Sequence, residues 1–207
     1  MKCINVVRVS LISLLMFVVG SYSVGYAADS ETATEAIKGT IDQVLVVLQQ
    51  EDLNSEDKKE ERLTKLVEVI GQRFDYEEMG KRTLSREWKN LNPQQQEEFV
   101  SLFQRFLTRS YASNVSSYSG EKIEYLKERN KGDFAEVQTK VISPKSQVPL
   151  DYRLLKKNEE WRVYDVVIDG VSLMKNYRGQ FSRILKNSSF DGLLTKLREK
   201  ADQATQP

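Results

Sequence analysis

The residues able to do chemistry in this chain are few in kind. Histidine is absent from all 207 residues, so a Ser-His-Asp triad, a Cys-His pair and a histidine-ligated zinc site have no starting material. The one cysteine, Cys3, lies at the extreme N-terminus, ahead of an apolar run. The ten glycines are scattered, and none fall in the Gly-x-Gly-x-x-Gly pattern that cradles a dinucleotide phosphate. Carboxylates and phenols remain. Asp165, Asp169, Tyr152 and Tyr164 cluster in and beside two predicted strands, and a buried Asp with a Tyr on a cone-shaped sheet can move protons. The same side chains at a strand surface or end would make only ordinary hydrogen bonds. Charge offers no alternative: 31 basic residues balance 30 acidic ones. There is neither a basic footprint for nucleic acid nor a polybasic run of the kind that holds proteins on anionic membranes.

The more distinctive signal is aromatic. Of eight phenylalanines, nine tyrosines and two tryptophans, all but Phe17, Tyr22 and Tyr26 lie beyond residue 27, and many of those sit on elements that should face one another. Phe99, Phe103, Phe106 and Tyr111 recur at helical spacing. Trp161 falls in a predicted strand, and Tyr177 and Phe181 in a later helix. A ligand pocket and a filled core draw on the same residue types, and periodicity does not distinguish the two.

The elements that position these residues follow from pattern. Residues 1–27 read as a cleaved export signal: Lys2 and Arg8, then an apolar run from Val9 to Val19, then small residues up to Ala27. That run is too short for the roughly 20 residues that span a bilayer. Residues 28–207 form one domain, with helices over 31–114, a sheet over 122–168 and helices over 171–201. Ile37, Ile41, Val44, Leu45 and Leu48 form one helical stripe, and Leu63, Leu66, Val67 and Ile70 a second. A short third helix covers Phe74 to Leu84. Asn92-Pro93 with Gln95 is a capping-box start for a long fourth helix. Four strands are predicted at 122–127, 134–142, 148–156 and 161–168, with connections short enough for an antiparallel meander. Asp169-Gly170 then breaks the strand, and helical stripes resume at Val171. The fold class is α+β.

Several ordered segments resemble one family. They are Phe74-Asp75 with Met79, Arg82-Thr83-Leu84, Arg86-x-Trp88, and Leu91-x-Pro93 with Gln95-Gln96. Others are Asp151-Tyr152-Arg153-Leu154, the long run from Trp161 to Leu173, Tyr177-Arg178 with Gln180-Phe181, and Asp191-Gly192-Leu193. From about Ala36 to Lys200 the chain resembles the MlaC proteins, the toluene-tolerance family of periplasmic phospholipid carriers. The resemblance implies a curved antiparallel sheet of about four strands (NTF2-like), wrapped by N- and C-terminal helices around an apolar cavity. It also implies a diacyl phospholipid as cargo, no cofactor or metal, and no enzymatic step. The implied partners are an outer-membrane lipoprotein complex and an inner-membrane ABC transporter complex with a membrane-anchored substrate-binding subunit.

On that basis the residues expected to touch the lipid tails are Met79, Phe99, Phe103, Phe106 and Leu107 from the helices. From the sheet they are Val141, Tyr152, Leu154, Val163 and Val167, and from the turn after it Val171 and Leu173. Placing Val163 and Val167 inward by strict alternation turns Tyr164 and Val166 outward, and the pattern alone equally allows the inverse choice of face. Lys81, Arg82 and Arg86 are expected near the mouth, in partner docking, or as ordinary solvated cations. Two other readings stand beside the carrier: a small enzyme using Asp165 or Asp169 with Tyr152 or Tyr164, and a periplasmic protein-binding adaptor with a solid core.

Overall fold

A computed structural model of the chain describes residues 31–203 apart from Asn54, Ser117 and Ser119. The expected export signal, residues 1–27, lies outside the described residues. Helices α1 (Ala33–Leu48), α2 (Lys59–Arg73), α3 (Tyr76–Leu84) and α4 (Pro93–Ser116) precede the strands β1 (Lys122–Lys131), β2 (Phe134–Ile142), β3 (Gln147–Lys157) and β4 (Glu160–Ile168). A short β5 (Val171–Ser172) leads into α5 (Leu173–Asn187) and α6 (Phe190–Gln203). The fold is α+β: an open antiparallel sheet of five strands in the order β1-β2-β3-β4-β5, flanked by helices.

Local chemistry sets the boundaries. Thr32 and Glu35 form a reciprocal capping box at the start of α1. At the start of α4 the Gln95 N–H donates to Asn92 Oδ1 at 2.9 Å, and the Asn92 N–H donates to Gln95 Oε1 at 3.1 Å. Two tight connections need positive φ at both central residues, Asn158-Glu159 and Asp169-Gly170. That is the turn whose twist suits a two-residue hairpin. The second of these corrects the sequence reading. Asp169-Gly170 does not end the sheet but folds the chain back, so Val171 and Ser172 pair with Ile168 and Val167 as a fifth strand. Helix α5 therefore begins at Leu173, not at Val171, with Ser172 capping it by accepting from the Lys175 N–H.

Two bulges decide which strand residues face the helices. Val163 pairs with Leu154 and Asp165 with Arg153, which leaves Tyr164 as an extra residue in β4. Leu126 is likewise the extra residue in β1, between Tyr125 and Lys127. Each bulge turns two successive side chains to one face and reverses the alternation beyond it. Val163, Val166 and Ile168 therefore share one face, while Tyr164, Asp165 and Val167 share the other.

Two packed regions bracket the site. In the first, α3, α4, α5 and α6 close on an aromatic core. The Phe103 ring lies 5.5 Å from Phe99, 5.6 Å from Phe181 and 5.8 Å from Tyr177 by centroid. Leu193, Leu197 and Ala201 seal it from α6. Gly80 belongs to this contact: a Cβ there would stand 3.2 Å from Phe99 and 3.4 Å from Trp88. In the second region, Ala33, Ala36 and Ile37 of α1 press onto Ala135, Val137, Leu154 and Val163. The small α1 residues let helix and sheet approach closely. Two hydrogen bonds fix that corner: Trp161 Nε1 donates to the Glu31 carbonyl, and Arg73 Nη1 donates to the Trp161 carbonyl, both at 2.9 Å.

Candidate functional site

The helix-facing side of the sheet is filled over only half its length. At the end where β2 turns into β3, the helices stand away from it and enclose a cavity of about 760 Å³. Helix α1 contributes Ile41, Val44 and Leu45, and α2 contributes Leu63, Val67 and Ile70. The floor is Ile123, Val141, Val148, Leu150, Tyr152, Val166 and Ile168. The deep end is closed by Phe74, Met79 and Leu173, and the flank of α4 by Leu107, Thr108 and Tyr111.

Their exposure shows that this space is hollow. Aliphatic side chains directed between helices and sheet would be fully buried in a solid interior, as Phe99, Phe103 and Leu193 are. Ile41, Val44, Leu45, Leu63, Val67, Ile70, Val148 and Leu150 instead remain only half-buried. The cavity falls in the upper part of the roughly 300–1,000 Å³ usual for ligand sites.

Polar groups are confined to the rim and a few points on the wall. Glu121, Ser143 and Ser146 lie together where β1 begins and β2 turns into β3, and exposed Ser146 brings the cavity to the surface. Thr40 and Thr108 add hydroxyls on the helical wall. Burial, reinforced by neighbouring Tyr125, pushes the Tyr152 phenol far above its ordinary range. Burial, with Asp42 nearby, pushes Tyr125 up to about 12. Both phenols are therefore neutral at physiological pH.

The deep end is positioned by Asp75. Its N–H donates to the Val163 carbonyl at 2.9 Å, docking the Phe74-Asp75 link onto the bulged strand. Burial opposes ionisation of Asp75. The Glu78 N–H at the start of α3 and the Lys157 ammonium at 2.9 Å outweigh burial and hold the carboxyl below its usual range. This brace sets Phe74 and Tyr76 into the cavity wall.

Five of the twelve residues expected at the lipid tails line this cavity: Met79, Leu107, Val141, Tyr152 and Leu173. The others stand elsewhere. Phe99, Phe103 and Phe106 point into the solid core, because α5 and α6 occupy the aromatic face of α4 and leave only its flank to the cavity. Leu154 and Val163 face the right way but lie under α1 in the filled half. Val167 is turned to the opposite face by the bulge at Tyr164, so the alternation assumed from sequence is corrected and Val166 lies inward instead. Val171, on the short β5, is 57% exposed.

The α1 and α2 stripes are helical faces in the sequence, and the structure makes them cavity wall. Their signal was present as two amphipathic helices with little aromatic content. Lys81, Arg82 and Arg86 do not line the cavity. Lys81 pairs with Glu77, and Arg82 pairs with Glu78 and lies over the Tyr164 ring at 3.9 Å.

The Asp and Tyr residues considered for catalysis are not brought together at the cavity. Tyr152 faces inward, whereas Tyr164 and Asp165 face outward. Asp165 is spent on structure: it accepts from Ser172 Oγ at 2.6 Å, from the Met174 N–H at 3.1 Å and from Arg153 at 3.2 Å. Asp169 sits exposed in the β4–β5 turn. Among the described residues no group of three or more Asp, Glu or Cys side chains is placed to hold a metal ion. Among the same residues no helix is long and apolar enough to cross a membrane.

Sheet, helices and hollow together define a protein built around an apolar ligand cavity. Comparison with known proteins is specific as to which kind. The chain belongs to the MlaC family, whose model, described as MlaC protein, matches residues 38–199.

It is 29% identical over 130 residues to the intermembrane phospholipid transport system binding protein MlaC of Haemophilus influenzae, across 60% of this chain and 61% of that protein. It is 22% identical over 165 residues to the toluene tolerance protein ttg2D of Pseudomonas putida, across 78% of this chain and 77% of that one. Among solved structures, a phospholipid-binding protein from Ralstonia solanacearum, in complex with a phospholipid, superposes with a TM-score of 0.74. Its sequence identity is 27%, covering 85% of this chain and all of that one.

Proposed function

We propose that this protein is a periplasmic carrier of diacyl phospholipid, holding the acyl tails in the cavity and the headgroup at the Glu121–Ser143–Ser146 rim. It is exported by a signal over residues 1–27. It passes lipid between an outer-membrane lipoprotein complex and an inner-membrane ABC transporter complex with a membrane-anchored substrate-binding subunit, and so maintains outer-membrane lipid asymmetry. The observation that carries this reading is the half-exposed aliphatic wall around about 760 Å³ of space. The phospholipid bound by the Ralstonia relative supports the nature of the cargo.

The physics suits a shuttle. Two acyl tails hold about 30 methylenes, and exposing them to water would cost roughly 20–25 kcal/mol. A dry aliphatic pocket resembles a bilayer interior, so transfer between the two is near neutral and reversible. The carrier then needs no energy source and no chemistry of its own, in keeping with the structural engagement of Asp165. Organic extraction of the purified protein followed by mass spectrometry tests the proposal. Phospholipid at about one molecule per chain is expected, and a stable protein free of lipid, unable to take any up from vesicles, refutes it.

A further inference from the structure

The hydroxyl of Tyr152 has no hydrogen-bond partner among the described residues. Other hydroxyls of the cavity wall are engaged. Thr40 donates to the Ala36 carbonyl at 2.9 Å and accepts from Arg73 Nε at 3.1 Å. Tyr111 shares a hydrogen bond with Tyr177 at 3.3 Å, and Ser143 and Ser146 bond each other at the rim. Tyr125 acts on the ionisation of Tyr152 through space without bonding it.

The place of this phenol in the hollow is fixed by the sheet. Tyr152 pairs with Val137 on one side and Val166 on the other, both buried and apolar. Along β3, Val148, Leu150 and Tyr152 line the cavity in turn, and Leu154 lies under α1 in the filled half. Tyr152 is therefore the last β3 side chain to meet the hollow. At about 3.3 Å per residue, it stands roughly 20 Å along the strand from Ser146 at the rim. Burial keeps the phenol protonated, so what it offers at that depth is a donor.

We infer that Tyr152 makes this cavity selective for acyl tails with a cis double bond near carbon 11, whose π electrons accept a weak hydrogen bond from the phenol. The inference rests on the reading that a diacyl phospholipid occupies the cavity with its phosphate at the rim. Roughly 15 bonds separate the phosphorus from carbon 11 of a tail, about 19 Å of extended chain, which matches the depth of Tyr152. A saturated tail strips the hydroxyl of water and offers nothing in return, and an unsatisfied buried donor is costly. A double bond at that depth returns part of the loss. A hydrogen bond of this weak kind shifts a binding ratio about two- to fivefold.

The test uses vesicles of three phosphatidylcholines in equal amounts, all with a hexadecanoyl first tail. The second tail is octadecanoyl, cis-6-octadecenoyl or cis-11-octadecenoyl, with deuterium labels that separate the isomers by mass. The unmodified protein and Tyr152→Phe are loaded from the same vesicles, and bound lipid is counted by mass spectrometry. Comparing the two proteins' ratios cancels what the donor membrane and the kink of the tail contribute. The preference for the cis-11 tail over octadecanoyl should be about two- to fivefold greater in the unmodified protein, with no such gain for the cis-6 tail. Equal ratios in the two proteins, or a gain as large for the cis-6 tail, overturn the inference and leave the carrier reading in place. Stripped of lipid, Tyr152→Phe should melt no lower than the unmodified protein, because the hydroxyl it lacks holds no other part of the chain. A lower melting point, or failure to fold, reveals a partner for that hydroxyl and also overturns the inference. Tyr164→Phe, on the opposite face of the sheet, should keep the unmodified protein's ratios, and loss of the preference there would count against Tyr152 as its source. Failure of the unmodified protein to load any of the three lipids overturns the carrier reading, and this inference with it.

Discussion

Replacing Val141 with tryptophan should empty the protein of lipid without unfolding it. Val141 sits on β2 opposite Val148 of β3, half-buried, with its side chain in the cavity. Tryptophan adds about seven heavy atoms, and the only place for them is the hollow. An indole there occupies the room of roughly five acyl methylenes. Forcing these into water costs ~0.8 kcal/mol each, about 4 kcal/mol in all, or roughly a thousandfold in lipid affinity. The fold should tolerate the change because the new ring fills space in place of displacing packed atoms, in contrast to overpacking of a dense core. Phospholipid retained per chain after purification, together with uptake from vesicles, gives the readout. Circular dichroism and a melting curve confirm folding. Val148→Trp repeats the perturbation from the neighbouring strand, and Gln138→Trp on the opposite face is the control that should load normally. A folded Val141→Trp protein carrying as much lipid as the unmodified one would refute the placement of the tails.

Three further outcomes follow from the geometry. Phe103→Ala, in the solid aromatic core, should cost about 3–5 kcal/mol in a denaturant titration while leaving the folded protein's lipid stoichiometry unchanged. Asp165→Ala should cost about 2–3 kcal/mol, because it leaves the Met174 N–H and the Ser172 hydroxyl without their acceptor and leaves Arg153 with Glu136 as its remaining carboxylate; a variant as stable as the original would show that this cluster is not structural. Asp75 makes stability depend on acid. Its native carboxyl titrates below the unfolded value near 3.9, so the contribution is fully present above that value and is lost as pH falls through the depressed native one. The midpoint of urea unfolding should therefore drop between about pH 5 and pH 2, and Asp75→Asn should flatten that part of the curve.

Sequence by itself determined the class of fold and most of its boundaries. Helical stripes, the Asn92-Pro93-Gln95 cap and the alternation through Phe134–Ile142 are local signals, set by residues a few positions apart. The missing histidines removed whole classes of chemistry, and the ordered run from Trp161 to Leu173 pointed to the MlaC family.

Tertiary structure alone decided which apolar residues meet a void. Phe103 and Leu107 stand one turn apart on α4 and look equivalent as a stripe, yet α5 and α6 bury the first, and the cavity takes the second. Val163 and Val167 look equivalent on β4, yet one extra residue at Tyr164 sends them to opposite faces. A side chain's own chemistry states that it will leave water. Whether a neighbour's side chain or empty space receives it depends on where distant segments settle: small Ala33 and Ala36 seat one end of α1 on the sheet, while further along α1 and α2 stand clear of it.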